Sequence, residues 1–238
     1  MSAVLVTGAT KGLGRETARQ LAAAGHTVYA GARDGERGRA AANEIGARFI
    51  QIDVTDDASV AAAAAEIDAS ETEGGIDVVV NCAGVEGRLA DNGILAAEDT
   101  TAGDMLAVFD TNVFGVIRVV HSFLPLLQKS AAPVIVNVSS GLGSLTELSD
   151  PSSPTQFYRG IAYPSSKSAL NAITIQLAKA LPDFRINAVD PGFTRTDLNG
   201  NTGTQTVEEG SAVIVRMAQV AADGPTGSFL SNDGPASW

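Results

Sequence analysis

Tyr163 and Lys167 lie four residues apart in the run AYPSSK, residues 162–167. On an α-helix, residues at i and i+4 share one face, so this spacing can hold a phenol and an ammonium a few ångströms apart. A nearby ammonium favours the phenolate and lowers a phenol pKa that is ordinarily ~10. The pair therefore predicts a tyrosine that exchanges a proton with a substrate near neutral pH, provided that the fold brings a substrate to it.

The elements that must position this pair follow from an alternation of short β-branched runs with longer, alanine-rich amphipathic runs. Predicted strands cover residues 4–6, 27–32, 49–52, 77–80, 134–138 and 186–189. Predicted helices cover residues 13–24, 36–45, 59–67, 104–129 and 165–181. This alternation indicates βαβ units, and hence an α/β fold with a parallel sheet and helices on both faces. Because the composition does not change along the chain, we expect one domain over residues 1–238.

Two segments, residues 141–162 and 194–205, show neither the pattern of a strand nor the pattern of a helix, and both are rich in Gly, Ser, Thr and Pro. Each follows a predicted strand, and ligands of open α/β sheets bind outside the carboxyl ends of the strands. We therefore expect both segments to be loops beside the functional site. After the second segment, Thr206 and Glu209 have the spacing of a capping box, which predicts the start of another helix.

The charge and composition of the 238-residue chain restrict its partners. A net charge of −11 repels nucleic acids and anionic membrane surfaces, so we expect neither as a partner. The apolar stretches are expected to fall short of a membrane span, and the first residues lead directly into a strand. The single cysteine, Cys82, allows no intramolecular disulfide and argues against a structural zinc site. We expect a cytoplasmic protein without a bound metal.

A glycine-rich loop joins the first predicted strand to the first predicted helix. Its residues, from Thr7 to Gly14, read TGATKGLG. Glycines at this junction permit a tight turn and let backbone N–H groups approach a pyrophosphate at the helix N-terminus. The spacing is G-x-x-x-G-x-G rather than G-x-G-x-x-G. A bare turn is the alternative, but the strand-to-helix context favours a dinucleotide site.

The end of the second predicted strand indicates which dinucleotide is bound. An acidic residue there usually binds the ribose 2′-OH of NAD, whereas a basic residue accommodates the 2′-phosphate of NADP. Arg33 ends this strand and Lys11 adds a cation in the glycine loop, so we expect NADPH (NADP+). A solvated Arg33 is the alternative, and Asp34 is expected to start the next helix. Asp53 follows the third strand, where it either meets the adenine amino group or serves as a helix cap or turn residue.

The motifs along the chain resemble, in order and spacing, the signatures of the short-chain dehydrogenase/reductase family. The matching residues are Thr7 to Gly14, Asn81-Cys82-Ala83-Gly84, Asn112, Ser140, Tyr163, Lys167 and Pro191-Gly192. The resemblance covers nearly the whole chain. It implies a Rossmann-like, doubly wound, seven-stranded parallel sheet in a three-layer αβα sandwich, with nicotinamide-dependent carbonyl or alcohol chemistry.

A narrower resemblance, to the NADPH-dependent carbonyl reductase branch of that family, implies broad ketone and aldehyde substrates. It rests on Lys11, on Ala32-Arg33-Asp34 and on the segments 191–197, 208–210 and 224–238.

The family resemblance also implies a role for each catalytic position. Tyr163 would be the general acid in reduction, and Lys167 would lower its pKa and bind the nicotinamide ribose. Ser140, rather than Ser139, would hydrogen-bond the substrate carbonyl. Asn112 would hold a water that links Lys167 to solvent.

The predicted cofactor-binding residues combine the glycine loop and the strand ends with positions that the resemblance implies. Thr194 and Thr196 would meet the nicotinamide carboxamide, and Asn81, Ala83 and Gly84 would line the cofactor after the fourth strand. The full set is Gly8, Thr10, Lys11, Gly12, Leu13, Gly14, Arg33, Asp53, Val54, Asn81, Ala83, Gly84, Tyr163, Lys167, Pro191, Gly192, Thr194 and Thr196.

The chain departs from the family pattern just before Tyr163, which follows Ser140 by 23 positions and not by the shorter spacing of most members. The extra residues lie within 142–162 and form either a tolerated surface loop or a flap beside the substrate. They leave open whether the protein is a monomer or a homo-oligomer, either a dimer or a tetramer. Tyr158 lies among them without a lysine four positions later, so it is not the acid. Phe157 and Tyr158 are candidates for substrate contact.

The chemistry on which these residues converge is NADPH-dependent reduction of a ketone or aldehyde to an alcohol, with Tyr163 as proton donor. A dedicated ketoacyl, steroid or polyol oxidoreductase is an alternative within the same enzyme class. A non-catalytic NADP(H)-sensing protein is the alternative from another class, and the intact set of Ser140, Tyr163 and Lys167 argues against it. The expected partner of the enzyme is a small carbonyl or alcohol substrate.

Overall fold

The computed structural model describes residues 1–70, 75–89 and 93–238, and within them eight strands form one sheet. The strands are β1 (Ala3–Thr7), β2 (Thr27–Ala32), β3 (Arg48–Gln51), β4 (Val78–Asn81), β5 (Val134–Val138), β6 (Arg185–Val189), β7 (Phe229–Ser231) and β8 (Gly234–Pro235). Their order across the sheet is β3-β2-β1-β4-β5-β6-β7-β8. The chain thus runs outward from β1 to β3 and then returns to place β4 on the other side of β1. This reversal is a topological switch point, where open α/β sheets bind ligands.

The first seven of the described strands are parallel, which confirms the predicted doubly wound sheet. The eighth, β8, pairs antiparallel with β7 and was not predicted. It has two residues and follows a tight turn, so it is too short to show any periodicity.

Helices cover both faces of the sheet. The described α-helices are α1 (Gly12–Ala23), α2 (Gly35–Ile45), α3 (Asp57–Ser70), α4 (Ala102–Phe109), α5 (Gly115–Leu127), α6 (Leu145–Ser149), α7 (Ala162–Ala180) and α8 (Val207–Ala218). Alternate strand residues face opposite sides, so Leu5 packs in an apolar cluster with α3, α5 and α7. Its neighbours Val4 and Val6 pack in a second cluster with α1, α2 and α8. The three-layer αβα arrangement is therefore confirmed.

The single helix predicted over residues 104–129 is divided into three parts. A π-helical segment, Asp110–Phe114, separates α4 from α5. Asn112 lies within this segment and is fully buried. Single π-helical turns inserted in α-helices occur frequently at functional sites, where the extra residue changes the direction of the side chains. Apolar periodicity continues on both sides of the turn, so the sequence alone does not reveal it.

The helical stretch Ala102–Leu127 is long and apolar enough to cross a membrane, judged by length and composition alone. The prediction that every apolar stretch falls short of a span was therefore wrong for this segment. In the fold, Val116, Val119 and Phe123 of the stretch pack against the sheet in the cluster around Leu5. Core packing accounts for these apolar residues.

The two segments predicted to be loops contain short helices, which corrects that prediction. Residues 141–162 form a 3-10 turn at Gly141–Gly143, then α6, then a second 3-10 turn at Pro154–Phe157. Residues 194–205 contain a 3-10 turn at Asp197–Asn199. Serine side chains cap the three helical pieces of the first segment, and pieces of three to five residues are too short to show a helical period.

Two predicted helix starts are confirmed by their caps. At the start of α8, Thr206 Oγ1 accepts from the N–H of Glu209, 3.2 Å away, and Glu209 Oε2 accepts from the N–H of Thr206 at 2.8 Å. At the start of α2, the carboxylate of Asp34 accepts from the N–H groups of Glu36 and Arg37 at 3.1 and 3.0 Å. The capping box and the N-cap thus fix where both helices begin.

Thr7, the last residue of β1, joins the two halves of the sheet at the switch point. Its buried Oγ1 accepts from the N–H groups of Cys82 and Ala83, at 3.0 and 3.1 Å, just after β4 ends. The next residue, Gly8, has a φ of 70°, and a Cβ there would lie 2.8 Å from Ala83 Cα. The glycine loop and the chain after β4 therefore meet backbone to backbone.

Replacement of Thr7 by valine tests this junction, because Thr7→Val keeps the volume but leaves two N–H groups without their acceptor. We expect the free energy of unfolding, measured by denaturant titration, to fall by about 1–3 kcal/mol. Thr7→Ser keeps the hydroxyl and is the matched control, with a smaller loss. Equal stability of the valine variant and the wild type would contradict the assigned role.

Candidate active site

Tyr163 and Lys167 lie in the first turns of α7 and are both buried, with 9% and 5% of their surface exposed. Lys167 Nζ lies 5.5 Å from the centre of the Tyr163 ring, so the pair shares one face of the helix. Nζ also donates to the carbonyl oxygen of Val138 at 2.8 Å, which ties α7 to the carboxyl end of β5.

The pKa of the Tyr163 phenol lies above its ordinary value, which is the opposite of the direction expected from the sequence. Burial is the main cause, the carboxylate of Glu86 raises the pKa further, and a hydrogen bond with the Ser140 hydroxyl opposes both. Burial also lowers the pKa of Lys167 to about 8. Desolvation therefore sets the direction of both shifts, and the Tyr163 phenol is protonated at neutral pH.

Ser140 lies between β5 and the first 3-10 turn, close to the Tyr163 phenol. Its Oγ accepts from the N–H of Leu142 at 3.2 Å, which leaves the hydroxyl proton for another acceptor. The neighbouring Ser139 is buried, and its Oγ donates to Asn171 Oδ1 at 2.6 Å. The choice of Ser140 over Ser139 is thus consistent with the hydrogen bonds of both residues.

Asp190, which the sequence did not single out, supports the loop that carries Ser140. Its carboxylate accepts from the N–H of Gly192 at 2.9 Å and from the N–H of Gly141. Burial raises its pKa. An acidic residue directly after the sixth predicted strand, before Pro191, was the available signal.

Asn112 connects the π-helical segment to the chain that follows β4. Its Oδ1 accepts from the N–H of Val85 at 2.9 Å, and its Nδ2 donates to Val85 O at 2.8 Å and to Ser166 Oγ at 3.0 Å. A Cβ on Gly84 would lie 3.4 Å from Asn112 Oδ1 and 3.8 Å from Lys167 Nζ. The structure thus brings Asn112 beside Lys167, and the bound water stays a prediction.

The glycine loop forms a cradle that side chains would fill. A Cβ on Gly14 would lie 2.5 Å from Gly8 O, so α1 packs closely against the loop. Lys11 is the N-cap of α1, but within the described residues its side chain does not cap the first turn, which also contains no acidic residue. The N–H groups of this turn therefore suit an anionic pyrophosphate. Thr10 and Leu13 are half-buried beside them.

The two predicted NADPH-selecting cations have different surroundings. Arg33 is exposed after β2, and its charge helps to lower the pKa of Asp34 and of Asp53. Lys11 is also exposed, and its Nζ lies 2.9 Å from Asp197 Oδ2. Both cations lie at the carboxyl edge of the sheet, and their contact with a 2′-phosphate stays a prediction.

The other predicted cofactor positions near β3 and β4 are mostly engaged within the protein. Asp53 Oδ1 accepts from the N–H and the hydroxyl of Thr55, as a turn residue would, and Val54 is buried. Asn81 is buried too, and its Nδ2 donates to Asn137 Oδ1 at 2.9 Å. Contact of these side chains with a cofactor stays a prediction.

The segment after β6 lies close to the glycine loop. Thr196 Cγ2 lies 3.4 Å from the position of a Cβ on Gly12. Thr194 is buried, and its Oγ1 lies 3.3 Å from Pro191 O and accepts from Gln205 Nε2 at 2.9 Å. Together with the contact between Lys11 and Asp197, these bonds place residues 194–205 against the cofactor cradle, with Pro191 and Gly192 at their base.

A cavity of about 250 Å³ opens beside the Tyr163 phenol. It is lined by Glu86, Gly87, Arg88, Leu89, Ile94, Leu95, Thr100, Asp104, Ala107, Val108, Tyr158, Gly160, Ala162 and Tyr163. Tyr158 thus faces the candidate substrate space, whereas Phe157 is 74% exposed and is not among the described lining residues. The sequence did not single out Glu86, although a carboxylate two residues after Gly84 was a usable signal.

Comparison with known proteins agrees with this arrangement. A family model described as short chain dehydrogenase matches residues 2–207. Short-chain dehydrogenase/reductase 1 of Saponaria officinalis is 36% identical over an alignment of 284 positions, gaps included, which covers 96% of this chain and 93% of that protein. (+)-Neomenthol dehydrogenase of Arabidopsis thaliana is 34% identical over an alignment of 283 positions, which covers 95% of this chain and 95% of that protein.

A solved structure gives the same result. NADPH-bound carbonyl reductase from chicken fatty liver superposes with a TM-score of 0.85 at 27% identity, over 100% of this chain and 99% of that chain. The family model covers most of the chain, and both relatives align over nearly all of it. The protein therefore belongs to the short-chain dehydrogenase/reductase family of nicotinamide-dependent oxidoreductases.

Proposed function

We propose that the protein is an NADPH-dependent reductase that converts a ketone or aldehyde to an alcohol. The observation that carries the proposal is the buried, protonated phenol of Tyr163 in the wall of a cavity, with the Ser140 hydroxyl beside it. A phenol that keeps its proton is a general acid, which is what reduction of a carbonyl requires.

The proposed chemistry assigns the two hydroxyl groups to the substrate oxygen. Bound NADPH would supply the hydride to the carbonyl carbon. Ser140 and Tyr163 donate hydrogen bonds to the oxygen, which stabilises the negative charge that develops there, and the Tyr163 proton then completes the alcohol. Lys167 would stabilise the resulting phenolate, and Asn112 would hold the water that links Lys167 to solvent for the returning proton.

The choice of NADPH rests on charge and on one relative. Arg33 and Lys11 are exposed cations beside the glycine cradle. Strand β2 is followed by Arg33, at the position where an NAD site usually has an acidic residue. The carbonyl reductase from chicken fatty liver is NADPH-bound. We infer that the enzyme acts in the cytoplasm, because its single cysteine allows no intramolecular disulfide.

Replacement of the phenol tests the mechanism. Tyr163→Phe keeps the ring but removes the acidic proton, so we expect kcat to fall by about 10²–10⁴ while NADPH binding is kept. The loss is measured from NADPH absorbance with a panel of ketones and aldehydes. Tyr29→Phe is the matched control, because Tyr29 belongs to the core cluster around Leu5 and its hydroxyl bonds Ser70. Full activity of the Tyr163 variant would rule out the proposed acid.

The preference for NADPH over NADH depends on Arg33 in this proposal. Arg33→Gln removes a cation from the 2′-phosphate, so we expect the ratio of kcat/KM for NADPH to that for NADH to fall about tenfold or more. Arg48→Gln makes the same charge change at the start of β3, at the opposite end of the sheet, and should leave the ratio unchanged. An unaltered ratio in the Arg33 variant would exclude this residue as the selector.

Binding of NADPH should depend on pH through Lys167. Because burial lowers the Lys167 pKa to about 8, the ammonium is charged below that pH and increasingly neutral above it. We expect the Kd for NADPH, followed by fluorescence from pH 6.5 to 9.5, to rise as the pH passes through about 8. Lys167→Met should bind more weakly and lose this pH dependence. A dependence that persists in the variant would assign the titration to another group.

A further inference from the structure

Glu86 is a nearly buried carboxylate in the wall of the cavity that contains Tyr163. Its side chain is 7% exposed, and it lies in the chain after β4. Its Oε1 accepts from the Tyr158 hydroxyl at 3.1 Å, and its Oε2 accepts from Arg88 Nε at 2.8 Å. The proposed reaction does not use this carboxylate.

The charge of Glu86 extends to the place where the substrate carbonyl would lie. Burial is the main cause of the raised pKa of the Tyr163 phenol, and the charges of Glu86 and Asp190 raise that pKa further. Arg88 acts on the pKa of Tyr158 but is not among the causes of the Tyr163 shift. The Glu86 charge thus acts on the Tyr163 phenol, whereas the charge of Arg88 acts on Tyr158.

The cations near the cavity are held by other acceptors. Arg88 Nε is shared between Glu86 and the carbonyl oxygen of Leu198, each at 2.8 Å. Lys167 donates to Val138 O and is not among the described residues that line the cavity. Arg88 lines the cavity beside Glu86, so a substrate carboxylate would have to compete with Glu86 and Leu198 O for its guanidinium.

Most of the remaining wall is apolar. The apolar lining side chains are Leu89, Ile94, Leu95, Ala107, Val108 and Ala162. Asp104 adds a second carboxylate to the lining. This combination of an apolar wall and negative charge suits a compact hydrophobic carbonyl compound, with or without an amine.

We propose that Glu86 makes the cavity charge-selective, so that it accepts neutral or cationic carbonyl compounds and discriminates against those with a carboxylate near the carbonyl. This inference rests on the proposed reductase function. Two unit charges about 7 Å apart at an effective dielectric constant of about 20 interact strongly enough to change a binding constant more than tenfold.

A purely structural role for Glu86 makes a different prediction. The carboxylate joins Tyr158, from the segment before α7, to Arg88, which in turn bonds the segment after β6. Loss of these bonds alone would alter the activity on every substrate by a similar factor. The ratio between matched substrates of different charge therefore separates the two roles.

The experiment uses three para-substituted aryl ketones: 4-acetylbenzoate, its methyl ester and 4-(aminomethyl)acetophenone. Reduction is followed by NADPH absorbance, and binding of each ketone to the NADP+-loaded protein is measured by calorimetry. For the wild type we expect kcat/KM and affinity for the ester and the amine to exceed those for the carboxylate by about tenfold or more.

Three variants then test the source of the selectivity. Glu86→Gln should reduce the ratio of ester to carboxylate about tenfold, whereas Arg88→Gln, which removes the compensating cation, should increase it. Glu66→Gln makes the same charge change on the exposed side of α3 and should leave the ratio unchanged. The opposite direction expected for the Arg88 variant keeps the test decisive if Glu86→Gln fails to fold.

The outcomes separate this inference from the proposed function. Reduction of the ester with an equal ratio in the wild type, Glu86→Gln and Arg88→Gln would overturn charge selection and leave the reductase intact. Selective binding without reduction of any ketone would overturn the proposed reaction and keep the charge selection. Both are upheld when the ester is reduced and the two variants move the ratio in opposite directions.

Discussion

Burial of an ammonium beside a phenol on one face of α7 is the constraint on which the site depends. A buried lysine is costly unless its charge is satisfied, and here Lys167 donates to Val138 O at the end of β5. That bond fixes α7 against the sheet and sets the depth of Tyr163 in the cavity wall. The same burial holds the phenol pKa high, so the chemistry of the tyrosine is decided by its environment more than by its helical neighbour.

The layers of the fold could be predicted because each strand and helix carries its own periodic pattern. Val4, Leu5 and Val6 point alternately to the two faces of the sheet and are all apolar, which indicates that both faces are packed. The Thr206 capping box indicates where a helix starts. Elements that are too short to show a repeating pattern of buried and exposed side chains could not be predicted. This explains why strand β8 and the short helical pieces after β5 were missed. The π-helical turn around Asn112 was missed because the apolar pattern continues on both sides of it.

Residue spacing alone indicated the site only where a motif is local in sequence, whereas Ser140 and Asn112 were predicted from the family resemblance. Tyr163 and Lys167 are close neighbours, and their spacing predicts a proton-exchanging pair. The glycines from Gly8 to Gly14 are also close together, and their spacing predicts a dinucleotide loop. Glu86 meets Tyr158 across 72 residues, and one sequence carries no signal for such a contact. The direction of the Tyr163 pKa was mispredicted for the same reason, because spacing shows a neighbouring charge but not the loss of solvent.

The negative field at the phenol has two opposite consequences for catalysis. Glu86 and Asp190 add to the effect of burial on the Tyr163 pKa, which keeps the phenol in its acid form up to a higher pH, yet they also oppose the negative charge that forms on a substrate oxygen. Hydrogen-bond donors that point at the substrate oxygen must therefore stabilise its negative charge by more than the two carboxylates destabilise it. Asp190 itself helps to provide such a donor, because its carboxylate accepts a hydrogen bond from the N–H of Gly141. That bond stabilises the turn that follows Ser140. The carboxylate that raises the Tyr163 pKa thus also positions the second donor.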